Sequence, residues 1–466
     1  MSMDLIHDTG AAIVAAVKRR EVSARDMAIR ALEVISARDE TLGAFTDVTA
    51  DRALAEADAV DALVAKGEAP PLAGLPYAVK NLFDIEGVVT RAGSKINRDD
   101  PPAKADATLI TKLKASGALL LGGLNMGEYA YDFTGENAHD GNALNPHDPG
   151  RMAGGSSGGS GTAVAAGMVP VALGSDTNGS IRVPASFCGL YGLKPTFGRL
   201  SRARTYPFVA SLDHLGPIAR SPQDLAMVFD ALQGDDPADE WQARRPALAT
   251  LPEIARGCEG LRVAVAGGYF RERQMPEATA AVDLVARALG AAEEVIVPEA
   301  ARARSAAYVI TNAESSGLHL KQLRTRAADY DPDTRSRFLA GAMVPAAWVV
   351  AAHRFRAWFR AEMRKLFETV DVILAPATPF HAPRSGTKTV TLDGVELPVR
   401  ANIGLFTQPI SFVGLPVVAV PAWLPGASLP IGVQVIAPAW REDVALRVAH
   451  QLAVTGVCAA PVARIG

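Results

Sequence analysis

Cysteine is scarce in this chain. Three of its 466 residues are cysteines, Cys188, Cys258 and Cys458, and they lie far apart. Thiols so few and so scattered form neither a disulfide framework nor a metal-binding knuckle, so we expect no metal site. We interpret Cys188, in the stretch SFCGLYG, as a small buried apolar residue rather than a nucleophile.

An excess of one charge and long apolar runs are also lacking. The 47 basic and 50 acidic residues give a net charge of −3, which offers no electrostatic case for a nucleic-acid partner. Apolar runs such as GLPVVAVPAW are short and broken by proline, so no membrane span is expected. The first twenty residues carry acid before their apolar run and base after it. This is the reverse of a secretory signal and predicts a cytoplasmic protein.

Helical patterns dominate residues 10–66. The SARD stretch at Ser23–Asp26 matches a capping box and opens an amphipathic run that continues through Ile35. The alanine-rich stretch ADRALAEADAVDALVAKG predicts another helix, which ends at Gly67. We therefore predict an N-terminal helical segment at about residues 1–67.

Beyond this segment, helical patterns alternate with short apolar runs. LRVAVAGG, VDVILAPATP and LPVVAVPAW fit buried strands, and the alternation indicates an α/β fold with a largely buried sheet. The loop-like stretch 233–260 is a candidate domain boundary. Because the strands on both sides of it look equally buried, we predict one continuous sheet and a single domain over residues 1–466.

The stretch GGSSGGSG, Gly154–Gly161, invites three interpretations. A phosphate-binding loop would need lysine where Ser160 stands, and a linker would need polar flanks, whereas an apolar helix pattern follows. A nucleophile elbow matches with Ser156 or Ser157 at its centre. The preceding NPHDPGRMA is no strand, however, and no downstream histidine has a catalytic setting. The elbow stays an alternative.

A second serine cluster follows in LGSDTNGSIRVPAS. Gly179 precedes Ser180, so successive backbone N–H groups can turn toward one point and bind an oxyanion. A glycine turn between a strand and a helix explains the same letters, so the cluster alone decides nothing.

The combination of segments is more specific than any one of them. GLPYAVKN with Lys80, AGGSSGGSGTAVAAGMVP with Ser156 and GSDTNGSIRVPAS with Ser180 occur in this order, and the two serines are 24 residues apart (180 minus 156). Together they resemble the amidase signature family, as do SLDHLGPIARS, TQPISFVGLPVVAVP and LPIGVQVIAP further on. The resemblance covers nearly the whole chain. It implies an α/β fold in which helices flank a mixed central β-sheet (α/β/α).

The resemblance also implies a Ser–cisSer–Lys triad. Ser180 takes the place of the nucleophile, Ser156 that of the bridging serine after a cis peptide bond, and Lys80 that of the base. The oxyanion hole would be formed by four backbone N–H groups, those of Thr177, Asn178, Gly179 and Ser180. The family usually has two glycines before the nucleophile. Here Asn178 brings a side chain into the loop.

Physical chemistry makes demands on these positions. A serine hydroxyl is a weak nucleophile and needs a nearby base. A lysine can be that base only when it is neutral, which burial favours. GLPYAVKN places Lys80 at the end of an apolar run, although an isolated lysine is more often a surface residue. Ser156 can accept and donate a hydrogen bond and so relay the proton. Such acyl transfer needs no metal or organic cofactor.

Substrate recognition is less determined by the sequence. MGEYAYDFTGEN resembles the family's pocket-lining segment. Its candidate residues fit substrate contacts and packing of the pocket wall equally well, and they are Tyr129, Ala130, Tyr131 and Asp132. We interpret Arg182 as a structural arginine tied to carboxylates such as Asp176, because the family has an arginine there regardless of substrate.

Within the family the chain is most similar to the 1-carboxybiuret hydrolase subgroup. AGSKINRDDPPA and RANIGLFTQPISFVGLP are the further shared segments. The resemblance implies a small amide, urea or carbamate substrate and cytoplasmic catabolism. The assemblies it implies are a homodimer or a complex with a small helical partner subunit. A promiscuous aryl amidase or urethanase is an alternative, which Tyr129 and Tyr131 would suit, because the triad does not define the substrate.

An alternative of another class is the A subunit of a glutamyl-tRNA amidotransferase complex. SLDHLGPIARS is compatible with it, but His214 stands where that protein usually has glutamine. Activity of the isolated chain on simple amides or carbamates would count against this alternative.

Overall fold

The computed structural model describes residue 4 and residues 6–465. Within these residues the α-helices are, in chain order, α1 (Gly10–Lys18), α2 (Ala24–Leu42), α3 (Ala50–Lys66), α4 (Thr108–Ala115), α5 (Gly158–Ala165), α6 (Arg182–Phe187), α7 (Pro222–Leu232), α8 (Pro276–Ala288), α9 (Ala300–Arg326), α10 (Pro332–Gly341), α11 (Ala346–Thr369), α12 (Val399–Asn402), α13 (Gln408–Val413) and α14 (Glu442–Val454).

The β-strands of the same residues form two sheets. In chain order they are β1 (Phe45–Val48), β2 (Pro76–Lys80), β3 (Leu119–Leu124), β4 (Val171–Asp176), β5 (Tyr191–Lys194), β6 (His214–Ala219), β7 (Val263–Ala266), β8 (Glu293–Val295), β9 (Val372–Pro376), β10 (Thr389–Leu392), β11 (Val395–Pro398), β12 (Val417–Ala422) and β13 (Ile431–Ile436).

The large sheet has eleven strands in the order β1-β3-β2-β4-β6-β5-β12-β13-β9-β7-β8, and β10 pairs with β11 in a separate hairpin. Strand β2 runs parallel to β3 and β4, whereas β4 runs antiparallel to β6. The large sheet is therefore mixed, as predicted. Strands on both sides of residues 233–260 belong to it, so the predicted continuous sheet is confirmed. The single-domain assignment stays a prediction.

Both faces of this sheet are covered. Along β2, Tyr77 and Val79 pack into one apolar cluster and Ala78 into another, as alternating side chains of a strand must when each face is buried. In β4, Val171 and Leu173 share the first cluster and Ala172 the second. The predicted α/β fold, with helices flanking a buried mixed sheet, is confirmed.

The N-terminal region agrees with the sequence pattern in most respects. Ser23 and Asp26 form the predicted capping box, and Gly67 ends α3 in the left-handed conformation. Helix α2 continues past the predicted Ile35 to Leu42, and the short strand β1 interrupts the helices by pairing with β3. Residues 1–3, Leu5 and Gly466 of the predicted segments lie outside the described residues.

In the part of the chain that the structure describes, no single helix has the length and apolar character needed to cross a membrane. Helices α10 and α11 reach that level together, but the pair is bent by 93° at its break.

Candidate functional site

Chain topology brings the predicted site residues to one edge of the sheet. Because β2 and β4 are parallel neighbours, the end of β2 at Lys80 and the loop after β4 that leads to Ser180 meet at the carboxyl edge. Ligand sites of α/β sheets form at this edge, outside the carboxyl ends of the strands.

Lys80 is fully buried and hydrogen-bonded to two serines. Its Nζ donates to Ser156 Oγ at 2.6 Å and to Ser175 Oγ at 2.8 Å. Burial lowers the pKa of Lys80 to about 7, although the carboxylates of Asp213 and Asp176 oppose that shift. A substantial fraction of the side chain is therefore a neutral amine near neutral pH.

The glycine–serine loop owes its composition to close packing. The Gly155–Ser156 peptide bond is cis, as the family resemblance implies. A Cβ at Gly159 would lie 2.5 Å from the carbonyl oxygen of Ala44 and 2.6 Å from the amide of Asn125, so only glycine fits there. The loop follows no strand directly and leads into α5, which also disfavours a nucleophile elbow.

The loop after β4 is held by side chains from three other segments. Thr177 Oγ1 donates to Asp213 Oδ1 at 2.6 Å, and Asn178 Nδ2 donates to Thr311 Oγ1 of α9 at 3.0 Å. The Asn178 side chain, which departs from the family pattern, thus ties the loop to α9. Gly179 has φ +149°, and a Cβ there would lie 2.3 Å from Thr407 Oγ1.

Backbone donors of this loop are available to a ligand. Among the hydrogen bonds between described residues, none uses the N–H groups of Asn178, Gly179 or Ser180. The Ser180 side chain is 3% exposed and lies in a pocket wall. Free N–H groups beside a serine hydroxyl are what an oxyanion hole requires.

Arg182 is a structural residue, as predicted. It is fully buried and donates from Nε and Nη2 to Asp176 at 3.0 and 2.9 Å, while Nη1 donates to Gln434 Oε1 at 2.6 Å. Burial acts to raise the pKa of Asp176, but the Arg182 guanidinium outweighs burial and holds that pKa well below its usual range. These contacts tie the start of α6 to β4 and β13. Cys188 is buried, as predicted, and donates to the carbonyl oxygen of Ala153.

A small pocket of about 20 Å³ opens onto Ser180. Three of the four predicted substrate-contact residues line it, namely Ala130, Tyr131 and Asp132. Tyr129 lies elsewhere, in a cluster of aromatic rings, where its hydroxyl donates to Asn97 Oδ1 at 2.9 Å. A contact between Tyr129 and substrate stays a prediction.

Two arginines also line this pocket, and their partners differ. Arg400 forms ion pairs with Asp132, Glu136 and Asp333. Arg337 of α10 donates to the carbonyl oxygen of Tyr131 at 2.7 Å and lies over that ring. Within the described chain, Arg337 has no carboxylate partner. Of the two, Arg337 is the one whose charge a ligand can neutralise.

Ser175 and Arg337 are candidate site residues that the sequence interpretation missed. Ser175 sits inside GSDTNGS, but nothing local distinguishes it from a buried structural serine. Arg337 lies 157 residues after Ser180 (337 minus 180), in a helix without a recognisable motif. Only the pairing of β2 with β4 and the packing of α10 on the pocket reveal them.

Comparisons with known proteins define the class. The family model described as Amidase matches residues 28–446. The AtzE chain of the 1-carboxybiuret hydrolase of Pseudomonas sp. (strain ADP) is 55% identical over 448 residues, covering 96% of this chain and 98% of that protein. The A chain of the glutamyl-tRNA(Gln) amidotransferase of Chromohalobacter salexigens is 37% identical, covering 96% of each chain.

A solved structure is equally similar. It is described as an inhibitor-bound, unexpected vestigial protein complex that reveals the evolutionary origins of an s-triazine catabolic enzyme. Its chain superposes with a TM-score of 0.96 at 53% identity and covers 98% of this chain and 100% of that one. The chain therefore belongs to the amidase signature family, and it is an amidohydrolase that acts on C–N bonds.

Proposed function

We propose that this enzyme cleaves a linear C–N bond through a seryl acyl-enzyme, with Ser180 as nucleophile, Ser156 as proton relay and Lys80 as base. The observation that carries the proposal is the 2.6 Å contact between Lys80 Nζ and Ser156 Oγ in a fully buried site. A buried lysine with a pKa of about 7 can accept a proton near neutral pH.

The proposed reaction has two halves. Ser180 Oγ attacks the substrate carbonyl carbon while its proton moves to Ser156 and the Ser156 proton moves to Lys80. Collapse of the tetrahedral intermediate breaks the C–N bond, and the same relay returns a proton to the leaving nitrogen. Water then attacks the acyl-enzyme, with the relay acting again, and releases the acid.

The backbone N–H groups of Thr177, Asn178, Gly179 and Ser180 form the proposed oxyanion hole. The unused N–H groups of the last three support this role. The contacts of Thr177 with Asp213 and of Asn178 with Thr311 hold the loop in place. Losing one donor from such a site typically lowers kcat by about 10²–10³-fold.

A small carboxylated urea of the 1-carboxybiuret type is the proposed substrate. Arg337 supports it, since this guanidinium lies in the Ser180 pocket without a carboxylate partner in the described chain and can bind a substrate carboxylate. The pocket volume of about 20 Å³ also favours a small substrate. The identity with the 1-carboxybiuret hydrolase chain over nearly the whole length points the same way.

The alternatives receive less support. Tyr131 and Phe208 would suit an aryl amide or carbamate, but the small pocket disfavours a bulky ring. For the amidotransferase alternative, His214 is buried and its Nδ1 lies 2.9 Å from the Asp176 carbonyl oxygen. Burial lowers the pKa of His214 well below its usual value, so it packs in the fold as a neutral ring.

Assembly and location remain proposals. The similar solved chain comes from a protein complex, and the similar hydrolase is described as one subunit of an enzyme, which supports a partner for this chain. We propose the small helical partner, and a homodimer as the second assembly. The cytoplasmic location stays a prediction from the N-terminal residue pattern and the family resemblance.

A substrate panel tests the proposed function. Carboxylated ureas, uncharged ureas, aryl amides and aryl carbamates are offered to the purified chain, and ammonia or amine release is measured. We expect the carboxylated ureas to have the highest kcat/KM and Ser180→Ala to abolish turnover of every substrate. Full activity of Ser180→Ala would refute the mechanism.

Arg337→Gln separates the substrate proposal from the mechanism. It should raise KM for carboxylated substrates by about tenfold or more and leave uncharged ureas unaffected, because only the former lose an ion pair. Arg335→Gln, on the same helix, is the matched control. Equal losses on charged and uncharged substrates would refute the carboxylate site and leave the serine mechanism standing.

A further inference from the structure

A second and much larger cavity lies beside α11, and it shares no lining residue with the pocket of Ser180. Its volume is about 710 Å³, against about 20 Å³ for that pocket. Six of its residues carry the argument: Phe197, Trp241, Arg245, Arg360, Arg364 and Trp440. The proposed reaction uses none of them.

The charge of this cavity is one-sided. Three arginines line it and no acidic residue does, although the whole chain has a net charge of −3. None of the three arginines forms an ion pair with another described residue, whereas nearby Arg199 pairs with Glu442 at 3.2 Å. Burial and the like charge of Arg364 lower the pKa of Arg360. An anion between these guanidinium groups would relieve the repulsion.

Aromatic rings form much of the remaining wall. The guanidinium of Arg245 lies 4.4 Å from the centre of the Trp440 ring, and that of Arg199 lies 4.7 Å from the same ring. Trp241 is 49% exposed and approaches Phe197 edge-on. Flat faces of this kind stack on planar ligands, and a guanidinium held on a ring presents its N–H groups to a carboxylate.

We propose that this cavity binds a planar organic anion, an aromatic or heteroaromatic carboxylate. Arg360 and Arg364, one helical turn apart on α11, hold the carboxylate, and Trp440 and Trp241 contact the ring. The site is separate from the Arg337 pocket, although α13 runs from one to the other, since Gln408 lines the substrate pocket and Val413 the second cavity.

Calorimetry with 2-naphthoate tests the proposal. The probe should bind the full chain saturably at one site, and 2-naphthamide, which has the same ring system without the charge, should bind at least about tenfold more weakly. Trp440→Phe should weaken 2-naphthoate binding as well, because phenylalanine offers a smaller ring.

Variants locate the site. The double variant Arg360→Gln/Arg364→Gln should weaken 2-naphthoate binding by at least about tenfold. Arg354→Gln is the matched control, because Arg354 is exposed on the same helix but lines a different groove. Arg337→Gln should bind the probe like the unmodified chain. Circular dichroism and thermal unfolding verify that each variant is folded.

Several results would overturn the proposal. They are the absence of saturable binding, equal affinity for 2-naphthamide, and unchanged affinity in the double variant. Loss of binding in Arg337→Gln would place the probe in the substrate pocket instead. Inorganic phosphate binding as tightly as 2-naphthoate would show a site that recognises charge alone and would refute the planar ligand.

Discussion

Two buried lysines of the large sheet, Lys80 and Lys194, differ in one respect that matters for chemistry. Both end a strand, both are fully buried, and burial lowers the pKa of both to about 7. Lys80 donates to two serine hydroxyls, whereas Lys194 donates to the backbone carbonyl oxygens of Pro195 and Leu415.

The difference shows that a lowered pKa alone does not make a base. A carbonyl oxygen has no proton to give, so Lys194 can only hold β5 to the neighbouring chain segments. A hydroxyl both accepts and donates, so Ser156 can pass a proton to the neutral amine of Lys80. The partner atoms therefore separate a structural lysine from the proposed base.

The matched pair Lys80→Met and Lys194→Met breaks the comparison most directly. Lys80→Met should lower kcat/KM by about 10³–10⁴-fold, because it removes the proton acceptor. Lys194→Met should stay within about tenfold of the unmodified enzyme, since its partners cannot transfer protons. Turnover per folded protein is measured, and equal losses in the two variants would remove the distinction.

Ser156→Ala tests the relay itself. With no hydroxyl between Lys80 and Ser180, kcat should fall by about 10²–10⁴-fold while KM changes little. Ser160→Ala is the control, because this buried serine of the same loop donates only to the carbonyl oxygen of Leu173. Near-normal kcat in Ser156→Ala would mean that the proton travels another way.

Ser175→Ala sharpens the comparison at the second hydroxyl. Ser175 accepts from Lys80 Nζ at 2.8 Å and so holds the amine toward Ser156. We expect kcat to fall by about tenfold and the acid limb of the pH profile to move to lower pH, because the ammonium form loses an acceptor. Ser175→Thr should restore both. A fall in kcat with an unmoved limb would indicate a packing role only.

The pH profile of kcat/KM reports the charge of the base. Activity should rise with pH through about 7, since Lys80 must be neutral to accept a proton and its pKa is about 7. Lys194 has a similar pKa, so the limb has two candidates. Persistence of the limb in Lys194→Met assigns it to Lys80, and its disappearance there would assign it to Lys194.

The smallest expected effect is on stability. Between pH 7 and 10.5, the usual lysine pKa, an unfolded lysine holds a proton that folded Lys194 has lost. Stability therefore rises with pH in this window, by about 1.4 kcal/mol per pH unit for each such lysine. Denaturant unfolding of Lys194→Met at pH 7, 8 and 9 should show a slope reduced by about that amount. An unchanged slope would contradict the buried, neutral state of Lys194.

Much of the fold was predictable because it follows local rules. The capping box at Ser23, the helix end at Gly67 and the buried strands around Lys80 are each encoded within a few residues. The short strand β1 was missed, since its four residues form a strand only through pairing with β3.

The sequence by itself determined the order and spacing of Lys80, Ser156 and Ser180, and with them the family resemblance. Only the tertiary structure decided which buried lysine meets hydroxyls, which arginine in the pocket keeps its charge free, and where Asn178 directs its side chain. The physical reason is that hydrogen bonds and ion pairs act over about 3 Å in space. Lys80 and Ser156 are 76 residues apart, and only the closing of the sheet brings their side chains together.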